Sequence, residues 1–140
     1  VRIDGWQRAL NVYIIDAQER YKREGFSYAG IHCAPWCADW VQILTGGQDP
    51  MAEYRGRYST QSEAEALLAE LDGTLLEALT KRLGQPIHPA HAMRGDIAYK
   101  ASVGCGIYFT SGARMIALFL GDGGFVDLRA DATDHAFAVR

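Results

Sequence analysis

No stretch of this 140-residue chain approaches the ~20 consecutive apolar residues that a membrane helix needs. Its first twenty residues alternate polar and apolar side chains, with no apolar leader core. A domain that does not insert into a membrane is therefore expected. Basic charge is also short: 14 Lys and Arg stand against 17 Asp and Glu, for a net charge of -3. With those basic residues scattered and not striped, no field exists to neutralise phosphates, and nucleic acid is excluded as a partner. Cysteine is scarce and odd in number, at three. A disulfide framework would strand one thiol, and a chain of this length needs no staple, so free thiols made in a reducing compartment are expected. Paired, close-spaced metal ligands are missing as well. Cys33 and Cys37 have a helical spacing that can bind zinc together with Cys105 and a histidine, but no second close pair accompanies them, and neither metal nor cofactor is expected.

What is present is ordinary globular composition, 49% apolar and 22% charged, enough for one compact domain spanning residues 1–140. From Asp4 to about Arg23, Trp6, Leu10, Tyr13, Ala17 and Tyr21 recur at three- and four-residue steps, which predicts an amphipathic helix ended near Gly25. Residues 26–32 read as a loop. Ala34 to Thr45 reads as a second helix, with Pro35 in its first turn and Gly46-Gly47 as its stop. Its inner stripe of Cys33, Trp36, Cys37, Trp40, Val41 and Leu44 makes it central to the core. Asp39, beside Trp40, is expected to cap or to pair with an arginine such as Arg55. Thr60-x-x-Glu63 and Thr74-x-x-Glu77 are capping boxes for two shorter helices that cover one side of the core.

Beyond Gln85, Pro86 and Pro89 break any helix, and five short runs predict strands: 97–101, 103–109, 114–120, 124–129 and 136–140. Helices first and strands afterwards is an α+β order, with N-terminal helices packed on a C-terminal antiparallel sheet. Arg94-Gly95-Asp96 reads as a turn into the first strand, and Gly121-Asp122-Gly123-Gly124 as a hairpin turn.

Cys33 is the candidate nucleophile, because the free N–H groups and positive dipole end of a helix stabilise a thiolate. The competing reading is a buried apolar cysteine. Cys37, one turn further in, is expected to be a small core residue whose burial raises its pKa. A cysteine hydrolase also needs an imidazole within hydrogen-bonding reach. His32 adjoins Cys33 but is expected to point away from it. His88 and His91 lie in the Pro-rich connection. His91 is the substitute-base candidate, since the loop before the first strand can pass near the helix N-terminus. His135, in an acidic turn with Asp131 and Asp134, is expected to form a surface ion pair.

The segment Phe26-Ser27-Tyr28-Ala29-Gly30-Ile31-His32-Cys33, followed by Ala38-Asp39-Trp40-Val41 and Leu44-Thr45-Gly46, resembles the nucleophile segment of a small phage-encoded family related to NlpC/P60 (papain-like) cysteine peptidases. The similarity continues through Asp49-Pro50, Tyr54-Arg55-Gly56-Arg57-Tyr58 and Arg94-Gly95-Asp96. The resemblance implies an NlpC/P60-like fold, with Cys33 attacking an amide of cell-wall peptide while amides at the helix start hold the oxyanion. It also implies a place at a phage tail tip, in the virion, after synthesis in the bacterial cytoplasm, with other tail-tip or hub proteins and peptidoglycan as partners. Two positions depart from the pattern. His32 stands where Asp is expected, and Gly104, opening Gly104-Cys105-Gly106-Ile107-Tyr108, stands where the catalytic histidine is expected. Two functions follow from that: a degenerate hydrolase with a mainly structural or assembly role, or an active cysteine amidohydrolase cleaving peptidoglycan peptide bonds during cell entry.

Overall fold

Glycines and caps set the element boundaries. The computed structural model describes all residues from Val1 to Arg140. Helix α1 runs Trp6–Glu24, α2 Cys33–Thr45, α3 Gln61–Leu71 and α4 Leu75–Leu83. Helix α2 begins one residue earlier than its periodicity suggests, so Cys33 is its first residue and His32 its extended N-cap. It stops at Gly46, whose left-handed φ of 64° closes the last turn. Thr60 and Thr74 cap α3 and α4 as their sequences predict, and Thr74 with Glu77 forms a reciprocal capping box.

Strands β1 (Ile97–Lys100), β2 (Gly104–Ser111), β3 (Arg114–Gly121), β4 (Gly124–Arg129) and β5 (His135–Phe137) form one sheet in the order β4-β3-β2-β1-β5. Every pairing is antiparallel. The molecule is thus α+β, with four helices and a five-stranded antiparallel sheet. Strands β1 to β4 form a meander, and β5 returns to the free edge of β1. It is shorter than the run 136–140 suggests. Beyond Phe137 the chain leaves the ladder, because the Val139 N–H donates to the Asp96 carboxylate at 3.1 Å.

The two faces of the sheet differ in what covers them. Ile97, Cys105, Ile107, Leu118, Leu120 and Phe137 face the helices, where they pack with Leu10 and Ile14 of α1 and with Trp36, Cys37, Trp40, Val41 and Leu44 of α2. Trp40 is fully buried, and its indole N–H donates to the Gly95 carbonyl at 2.9 Å, which fixes α2 against the turn into β1. The other face is small: Ala98, Tyr108, Ala117, Phe119 and Ala136, with Ala92 and Ala130 packed on it from the connections flanking β1 and β5. Gly106 points to this side, where a Cβ would lie 2.5 Å from the Leu118 carbonyl and 2.8 Å from the Phe119 ring. Only glycine fits there.

Candidate functional site

The first turn of α2 places Cys33 where the N–H groups of Cys33 and Ala34 have no intrahelical acceptor. Cys33 is half-buried and Cys37 buried on the same helix face, and both meet Cys105 of β2. All three cysteines are free, and they form one thiol cluster. The cluster follows from periodicity on two elements: positions 33 and 37 share a face of α2, while Cys105 alternates with Gly106 toward the helices.

Their chemistry is set by contact and burial. The neighbouring Cys105 thiol and loss of solvent push the Cys33 thiol well above its ordinary range, against a smaller opposite pull from His32. Burial raises Cys37, as its place in the core predicts. Cys105 gains from its bond to Cys33, but Cys37 and burial outweigh that, and it too stands well above the ordinary range. The cluster is a set of neutral thiols at neutral pH. The helix N-terminus alone does not make Cys33 a thiolate.

Gly104 lies against the sulfur. A Cβ built on it would stand 3.4 Å from the Cys33 Sγ, so any side chain at this strand position would meet the thiol. Its φ of 125° is in the region that glycine tolerates and side-chain-bearing residues avoid. The strand opens on a residue that cannot supply a base.

The histidines are distributed otherwise than the sequence suggests. His32 is turned inward and 4% exposed, within hydrogen-bonding reach of the Cys33 thiol. Its Nε2 is 2.8 Å from the Tyr58 hydroxyl, and its ring lies 4.9 Å from that of Tyr28 and 5.5 Å from that of Tyr58. The extended backbone at the N-cap and this aromatic cage override the expectation that adjacent side chains diverge. Burial and the nearby Cys33 push the Tyr58 hydroxyl up to about 12, so it remains a neutral partner for the imidazole.

His91 does not reach Cys33, contrary to expectation. It ends the 3-10 turn Pro89–His91, which packs against β5 and the turn Ala130–Ala132, on the small face of the sheet away from α2. His88 caps that turn by accepting from the Ala90 N–H at 3.0 Å. His135 forms no surface ion pair with Asp131 or Asp134: its ring stacks on Tyr99 at 6.1 Å, while Asp134 takes Lys100 at 3.7 Å. Asp39 does pair with Arg55, at 2.5 Å, and Arg55 also holds Asp49 at 3.0 Å, which ties the segment carrying Tyr58 to α2.

A cavity of about 280 Å³ opens beside the thiols. His32, Cys33, Tyr28, Tyr58 and Gly104 lie at the start of α2, and the rest of the lining is apolar apart from Glu65 and Arg82, drawn mainly from α2, the segment 50–54, α3, α4 and β1. No group of three or more His, Cys, Asp or Glu side chains has a geometry that would hold a metal ion.

The family described as a domain of unknown function, DUF6950, matches residues 1–139. No curated protein and no solved structure matches the chain.

Proposed function

Because the chain belongs to the DUF6950 family, whose function is not defined, its role must be read from its own site, and we propose that it is a degenerate NlpC/P60-like peptidase domain serving a mainly structural or assembly role at a phage or phage-like tail tip. The observation that carries the degenerate part is Gly104, whose missing side chain would face the Cys33 sulfur at 3.4 Å. A helix-borne cysteine facing an antiparallel strand supports the papain-like relation; a glycine at the strand position facing it supports loss of the strand-borne base. The tail-tip assignment rests on the sequence resemblance. Its test is a pair of alleles in the encoding phage: Cys33→Ala leaves assembly and infectivity unchanged, while deletion of the domain abolishes them. Loss of infectivity in Cys33→Ala particles of normal composition sinks this reading.

A second reading is favoured by His32. In the tautomer whose Nε2–H donates to Tyr58, Nδ1 carries a lone pair, and the ring is within reach of the thiol. In an active cysteine amidohydrolase, His32 takes the Cys33 proton and returns it to the leaving amine, while the first-turn amides hold the oxyanion. Tyr58 then positions the imidazole. Purified chain cleaving peptidoglycan peptide bonds, with cleavage lost in His32→Ala and Cys33→Ala alike, establishes this reading over the first.

A further inference from the structure

We propose that the cavity beside Cys33 binds an unbranched acyl chain, carbonyl end at Cys33 and hydrocarbon tail along α2. This rests on the Cys33 site described above and names the ligand class it takes. Shape is the first reason. Cys33, Cys37 and Val41 all line the cavity, and eight residues of helix put its ends ~12 Å apart. About 280 Å³ spread over that length is a slot, not a bowl.

Polarity is the second. At the Cys33 end sit His32, Tyr28, Tyr58 and the unpaired first-turn amides, which suit a carbonyl or carboxylate. Further along, the walls are hydrocarbon: Val41, Met51, Leu68, Leu75, Leu79 and Leu83. Two charged residues also line the slot: Glu65 is exposed and accepts from the Gln61 amide at 3.1 Å, and the two terminal nitrogens of Arg82 are held by Asp72 at 2.7 Å and Glu53 at 3.0 Å. Leu68, Leu75, Leu79 and Leu83 are only half-buried, although the periodicity of α3 and α4 turns them toward the core. They stop short of full burial because they border this opening. A cell-wall peptide, rich in carboxylates and amides, would leave most of them without partners along such walls. A polymethylene chain needs none, and each methylene leaving water tightens binding.

The test uses the full chain and straight-chain carboxylates from butyrate to decanoate, below their aggregation thresholds, followed by NMR shifts of the Leu68, Leu75 and Leu79 methyls. Affinity is expected to rise about three- to fourfold per added methylene. Leu79→Trp and Leu68→Trp, both at partly buried positions that line the slot, fill it and abolish decanoate binding. Affinity independent of chain length, or decanoate binding unchanged in both folded Trp variants, overturns the inference. So does a leucine-rich peptide that shifts the same methyls when decanoate does not, since it assigns the slot to a protein partner. Those failures leave the reading of Cys33 intact, whereas the infectivity and cleavage assays above can sink that reading without altering chain-length dependence.

Discussion

At the Cys33 sulfur a helix N-terminus and an imidazole favour the thiolate, while Cys105 and burial favour the thiol, and the second pair prevails. Iodoacetamide is therefore expected to alkylate Cys33 more slowly at pH 7 than an unperturbed thiol of pKa ~8.5, with the rate still climbing above pH 9. Cys105→Ala removes the largest opposing contact and should speed alkylation several-fold, read by intact mass against time. Equal rates in the two proteins would show that Cys105 does not govern the sulfur. Gly104 is restrained by both its backbone and its neighbour. Gly104→Ala combines a side chain at φ 125° with a Cβ 3.4 Å from Cys33 Sγ, and is expected to cost about 1–3 kcal/mol in urea unfolding. At this scale the sequence singled out Cys33 and Gly104, since each is a matter of residue type in a short motif. It did not reveal that His32 turns inward, because that orientation is imposed by Tyr28 and Tyr58, the latter twenty-six residues away. The aromatic content of 26–32 and 54–58 was the available signal.

Helices α3 and α4 owe their boundaries to local chemistry and their placement to one buried carboxylate. Thr74 accepts from the Glu77 N–H at 3.2 Å and Glu77 returns the bond, so Thr74→Ala should lose about 1 kcal/mol and fray the start of α4, seen as faster amide exchange there. Asp72, whose side chain is wholly shielded from solvent, accepts from the Tyr54 hydroxyl and pairs with Lys81 at 3.2 Å and Arg82 at 2.7 Å. Burial alone would raise its carboxyl, but the bonds from Tyr54, Arg82 and Lys81 outweigh that and hold it below the ordinary carboxylate range. A depressed carboxyl stabilises the fold above its unfolded pKa of ~3.9, and that stability is lost as pH falls through the lower folded value. Asp72→Ala is expected to cost about 3 kcal/mol at pH 7 and to flatten stability against pH below 4, measured by denaturant titration. Capping boxes were plain in the sequence because they span four residues. The Asp72 hub was not, because its partners lie as far as eighteen residues away and nothing in their spacing singles them out.

Across the whole molecule, Asp96 joins the two ends of the chain. It accepts from Arg2 at 2.8 Å, Arg140 at 2.6 Å, the Met93 N–H at 2.8 Å and the Val139 N–H at 3.1 Å, and is entirely buried. Asp96→Ala leaves Arg2, itself nearly buried, without its counter-charge, and should cost about 3–5 kcal/mol in thermal or denaturant unfolding. The thiol cluster adds a dependence at the alkaline end. Groups whose folded pKa is raised give stability that is complete below the unfolded value of ~8.5 and lost as pH rises toward the folded one. The helices, four of the five strands and the α+β order were legible because periodicity, caps and turn residues act over a few neighbours. By itself the sequence determined these elements, the place of Cys33 at a helix start and the glycine that opens β2. Only the tertiary structure decided that three cysteines meet, that His32 and not His91 faces Cys33, and that the leucines of α3 and α4 border a slot. Those outcomes depend on which faces pack together and what remains unfilled between them, a long-range balance of burial and shape that local pattern does not encode.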